Sequence, residues 1–185
     1  MTVSKACCLF LLFTISLGRC AHVSTPPTLH DQQHAENLID QGAAFLRSGE
    51  LEQAKASFRL SLELVRSAAA LDGLGCVAFL RGELGNAQAY FLRAYEIDPN
   101  YQETLSNLAL LYNFIGASDE AERLFKRVLQ HDPTIIQSRN NFGVLLKESG
   151  NIHKAREELY KGYVFSFSEV MRENLKRAGE NVWHP

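Results

Sequence analysis

Small and bulky apolar positions recur along this chain at a fixed interval. GELEQAKASF from Gly49, GELGNAQAYF from Gly82, GASDEAERLF from Gly116 and GNIHKAREEL from Gly150 align without gaps, at spacings of 33, 34 and 34 residues. In each, a glycine is followed by an alanine (Ala54, Ala87, Ala121, Ala155) and then by a bulky apolar residue (Phe58, Phe91, Phe125, Leu159) at the same offsets. A period near 34 with these offsets marks stacked helix–turn–helix repeats. Such repeats bury a continuous core between neighbours and leave one concave face free. The pattern predicts an all-α solenoid, and a chain that holds a partner instead of transforming a substrate.

Outside the repeats the pattern changes twice. Residues 1–20 place Lys5 before an apolar run from Ala6 to Leu17, long enough for a signal-peptide core and too short to span a bilayer. Residues 21–34, AHVSTPPTLHDQQH, show no apolar period and contain Pro26-Pro27, so they read as a flexible tether of roughly 20 Å average span. At the other end, FSFSEVMRENLKRA over 165–178 is amphipathic and is stopped by Gly179. Its Asn174-Leu175 repeats Asn141-Phe142 and Asn107-Leu108, so 165–185 is expected to supply a capping helix and a tail, with Trp183 packed back on the cap.

The repeats resemble tetratricopeptide repeats, whose pattern is W-x2-L-G-x2-Y, then A-x3-F, then P. Four of them fit at 35–67, 68–101, 102–135 and 136–169. The matching positions include Leu38, Gly42 and Phe45 in the first, Leu71 and Leu74-Gly75 in the second, Leu108-Ala109 and Tyr112 in the third, and Phe142-Gly143 and Leu146 in the fourth. Asp98-Pro99 and Asp132-Pro133 end the second helices of the middle repeats. Tryptophan never fills its consensus position, and the fourth repeat lacks its proline. The resemblance implies a right-handed superhelix with a C-terminal cap. It also implies that the first helix of each repeat lines the concave groove.

Carried over residue by residue, that implication puts Asp72, Phe79, Leu110, Asn113, Phe114, Asn140, Val144 and Lys147 in a peptide-binding groove. Asn107, Asn141 and Asn174 share one repeat position. They resemble the asparagine ladder with which some tetratricopeptide proteins grip a peptide backbone, an amide being able to donate and accept at once. The same residues have a second reading, as bonds within the helix array. The charged clamp that holds acidic C-termini in chaperone cochaperones is not matched, because Ile39 and Ala43 fill its positions in the first repeat.

Composition narrows the function further. The chain has 185 residues, 46% hydrophobic and 22% charged, with a net charge of −2 that becomes −4 without Lys5 and Arg19. That balance gives no footprint for nucleic acid. Three of the four cysteines lie in the first 20 residues, which excludes a disulfide framework for the repeats. The six histidines form no metal motif, and phosphate-loop, nucleophile-elbow and dinucleotide motifs are absent. Cys76 has no histidine or aspartate partner suggested by spacing. The expectation is a non-enzyme without cofactor or metal, whose partner is a protein or peptide.

Leu17-Gly18-Arg19-Cys20 resembles the lipobox of bacterial lipoproteins, with Arg19 where that family places a small residue. Lipidation at Cys20, ordinary cleavage nearby and an uncleaved signal anchor all remain open; membrane contact is expected only through such an anchor. A signal segment, a lipobox-like cysteine and a small repeat domain together resemble the pilotin-type and Tad/Flp pilus-assembly lipoproteins of Gram-negative bacteria. That resemblance implies a periplasmic adaptor, lipid-anchored at the outer membrane, that helps a pilus or secretion component assemble. Two alternatives stand beside it: a regulatory subunit of a cell-wall enzyme, and a scaffold that binds through its convex face or its ends.

Overall fold

The computed structural model describes residues 26–179. The apolar leader, Cys20 and the tail with Trp183 therefore lie outside the described residues. Eight helices form four antiparallel pairs: α1 (Leu29–Ser48) with α2 (Leu51–Leu64), α3 (Ala68–Leu80) with α4 (Leu84–Ile97), α5 (Gln102–Phe114) with α6 (Ser118–His131), and α7 (Ile136–Glu148) with α8 (Ile152–Ser166). A ninth, α9 (Glu169–Arg177), closes the stack. Gly49, Gly82, Gly116 and Gly150 sit in the turn of each pair at φ 75 to 83°, a left-handed conformation that glycine adopts without a Cβ clash. The amide just after each glycine reaches back across the turn, as Glu83 N does to Ala78 O at 2.9 Å and Asn151 N to Leu146 O at 2.8 Å. This is the Schellman closure of a helix end.

The repeat signature becomes packing at the aromatic positions. Phe58, Phe91 and Phe125 are buried, and each lies where a small residue lets a first helix come close. A Cβ added to Gly75 would stand 2.4 Å from Phe91 Cε1, and one on Gly42 2.7 Å from Phe58 Cε1. Gly73 also faces Phe58, so that ring fills the space between its own repeat and the next. Ala109 takes the glycine's place in the third repeat, in the same buried cluster as Phe125 and Phe142. Each fully buried ring contributes about 2–3 kcal/mol of apolar burial.

The curvature follows from which helices touch. The first helices contact one another in sequence (α1 with α3, α3 with α5, α5 with α7, α7 with α9), whereas second helices contact only their own partner and the next first helix. First helices therefore form a tight inner layer and second helices a spread outer one. The concave surface belongs to α3, α5, α7 and α9.

Two expected boundaries shift. Residues 29–34, read as tether, are the first turns of α1. Thr28 accepts from Asp31 N at 3.2 Å while Asp31 Oδ2 accepts from Thr28 N at 2.9 Å, a capping box that extends the helix outward without burying anything. Residues 165–168 do not belong to the capping helix. α8 runs to Ser166, and Phe167 turns the chain at φ 49° with its ring edge-on to Tyr163 at 5.8 Å. Ser166 Oγ ties that corner, donating to Gly162 O at 2.9 Å and accepting from Ser168 N at 3.2 Å.

Candidate functional site: a concave cleft on the first helices

The inner layer encloses an open cleft of about 620 Å³ between α5, α7 and the start of α9, with Asp72 of α3 at one end. Of the residues expected in the groove, Asp72, Asn107, Leu110, Asn140 and Asn141 line it. Phe79, Asn113, Phe114, Val144 and Lys147 do not. They sit toward the C-terminal ends of α3, α5 and α7, roughly a turn or more away along the helix axes. There Phe79 and Phe114 pair edge to face at 5.5 Å, leaving Phe114 66% exposed. Asn174, on α9, does not line the cleft either.

Side-chain bonds between successive first helices build the floor. Asn107 Nδ2 donates to Asp72 Oδ2 at 3.0 Å and Oδ1 at 3.2 Å, and Thr104 Oγ1 donates to Asp72 Oδ1 at 2.9 Å. One repeat on, Ser138 and Ser106 share a hydroxyl hydrogen bond at 2.6 Å. At the cap, Asn174 Nδ2 donates to Asn140 Oδ1 at 2.7 Å. Two members of the asparagine ladder, Asn107 and Asn174, thus turn their amide donors to the neighbouring repeat. Asn141 differs: its Oδ1 accepts from Asn140 Nδ2 at 3.3 Å, and its own amide N–H has no partner among the described residues.

Thr104, Ser106 and Ser138 escaped the sequence reading, as did Gln102, Glu103 and the contribution of Val170 and Met171 from the cap. A signal was present for some of them. Thr104 and Ser138 occupy one repeat position, and Asp72, Ser106 and Asn140 another, so small polar residues recur in register across from one another.

Asp72 is 7% exposed, and burial pushes its carboxyl up to about 6. Bonds from Asn107 and Thr104 oppose the shift, and the nearby Glu103 adds to it. Burial, with Asp72 beside it, pushes the Cys76 thiol well above its ordinary value. Cys76 therefore stays a protonated thiol at neutral pH, which is the state of a packing residue and not of a nucleophile. Among the described residues no group of three or more His, Cys, Asp or Glu is arranged to hold a metal ion, and no helix is long and apolar enough to cross a membrane.

Comparison with known proteins agrees with the geometry. The tetratricopeptide repeat family model matches residues 78–139. The protein CTR9 homolog of Arabidopsis thaliana is 26% identical over 117 residues, 62% of this chain and 11% of that one. The chain spans about a tenth of the length of the curated relatives it matches. Among solved structures, pilF of Pseudomonas aeruginosa superposes with a TM-score of 0.71 at 21% identity, covering 80% of this chain and 70% of that one. YrrB, described as a tetratricopeptide protein with an unusual peptide-binding site, gives 0.60 at 24% identity, covering 77% and 74%. The 34-residue period, the glycine-capped turns, the inner layer of first helices and these likenesses lead to one assignment: the chain folds as a tetratricopeptide-repeat solenoid, and the model of that repeat family matches it over residues 78–139.

Proposed function

We propose that this chain is a non-catalytic adaptor of the cell envelope that holds an extended segment of a protein partner in its concave cleft and assists assembly of a pilus or secretion complex. The observation that carries the binding half is the cleft itself. It combines an apolar wall at Leu110, Ile136 and Val170 with a free amide donor at Asn141, which suits a peptide's side chains and its backbone together. YrrB, described as having an unusual peptide-binding site, has a similar fold and supports a peptide-binding role. The envelope half rests on the sequence: the apolar leader, Cys20, and the layout shared with pilotin-type lipoproteins.

The test is crosslinked capture from native envelope with full-length protein, wild type beside a Leu110→Glu/Asn141→Ala variant of equal helicity and melting temperature. Asn107 is left intact because it carries the bonds to Asp72. Enrichment of pilus or secretion subunits by the wild type and their loss in the variant supports the proposal. Capture that survives in the variant moves binding to the convex face or the ends. Enrichment of a cell-wall enzyme alone, with a change in its rate, replaces the pilus role by a regulatory one.

A further inference from the structure

The cleft is one-sided in its charge. Its ionisable walls are Asp72 and Glu103, and among the described residues no lysine, arginine or histidine lines it. Among the described residues the Asp72 carboxylate is met by neutral donors, the Thr104 hydroxyl, the Asn107 amide and, weakly, the Cys76 thiol at 3.9 Å. Burial raises its carboxyl to about 6, still below neutral pH. A buried carboxylate without a counter-cation among the described residues and the exposed Glu103 carboxylate on the next helix give this end of the cleft a negative character. Among the described residues no three His, Cys, Asp or Glu side chains are grouped to hold a metal ion. A side chain that brings its own positive charge and several N–H donors fits.

We propose that the segment held in this cleft carries a lysine or arginine seated against Asp72 and Glu103, with apolar neighbours against Leu110 and Val170. This rests on the groove-binding reading above and specifies the chemistry of its partner. The charge selects the partner and the register in which it lies, while the apolar wall supplies much of the contact.

The experiment uses full-length protein and four labelled decapeptides sharing one apolar frame, whose central residue is Lys, Arg, Gln or Glu, with binding read by fluorescence anisotropy. The Lys and Arg peptides are expected to bind at least tenfold more tightly than the Gln peptide and the Glu peptide most weakly, with the gap narrowing in high salt. Glu103→Gln should shrink the gap, and Glu103→Lys should favour the Glu peptide; Glu103 is exposed, and equal melting temperatures check the fold. If the Gln peptide binds as tightly as the Lys peptide, the inference falls, while a uniform loss in Leu110→Glu keeps the groove reading. If none of the peptides binds, the inference falls alone, and the envelope capture with the Leu110 variant decides the groove reading separately.

Discussion

At the scale of single residues, Asp72 couples stability to pH. Its carboxyl stands at about 6 in the fold against an ordinary 3.8, so the folded chain keeps a proton that the unfolded chain has released. The stabilising contribution is complete below the ordinary value and is lost as pH rises through about 6, a change of about 2–3 kcal/mol. Asp72→Asn keeps an acceptor for Thr104 and Asn107 and removes the charge. Its stability relative to wild type should rise between pH 4 and pH 7 in urea unfolding; parallel profiles for the two proteins would count against the assignment. Gly75 makes a steric prediction. Gly75→Ala drives a methyl into Phe91 and should cost about 1–3 kcal/mol, seen as a lower melting temperature with unchanged peptide preference. The packing residues were legible in the sequence because a single residue type decides each one: only glycine or alanine fits against an aromatic ring. The partners of the asparagines were not, since an amide can bond outward or sideways and the choice rests on what the neighbouring repeat offers, here Asp72 for Asn107 and Asn140 for Asn174.

At the scale of elements, helix ends carry the surprises. The start of α1 was missed because apolar periodicity reports burial, and residues 29–34 bury almost nothing; Leu29 is 82% exposed. Thr28 and Asp31 were the signal, a cap that acts by hydrogen bonding alone. Thr28→Ala should therefore cost about 1 kcal/mol and speed amide exchange across 29–34 while leaving later repeats protected. Unchanged exchange there would show the first turns are held by something else. The boundary at 165–168 failed for a related reason. Phe165, Ser166 and Phe167 continue an amphipathic look, yet the Ser166 hydroxyl and the left-handed Phe167 end one helix before the next begins. By contrast, the four glycine turns were readable, since left-handed backbone at a helix end selects for glycine.

At the scale of the whole molecule, stability in a solenoid is a sum of repeats and junctions, so damage stays local. Arg139 is buried on the outer side, where its guanidinium pairs with Glu158 and donates to Pro133 O at 2.6 Å. Arg139→Ala leaves the Glu158 carboxylate with Lys161 alone, at 3.2 Å, and leaves Pro133 O without its donor, and should cost about 2 kcal/mol. In hydrogen exchange the loss should appear in α7–α9 and spare α1–α4; uniform loss would mean that the stack unfolds as one unit. The cleft shares that fate, because α7 and α9 form one of its walls. A partner that binds there should in turn protect α9 from exchange.

The polar bonds between first helices are unevenly distributed along the stack. They join α3 to α5, α5 to α7 and α7 to α9, yet among the described residues no side-chain hydrogen bond joins α1 to α3. Mechanically, the stack has two kinds of joint. The first is held by apolar packing, with the Phe58 ring seated against Gly73 and beside Leu74 and Val77, and the later three add directed bonds. Apolar packing resists separation without fixing an angle, whereas a hydrogen bond fixes register. The α1–α2 pair should therefore show the widest spread of orientation in residual dipolar couplings while staying docked.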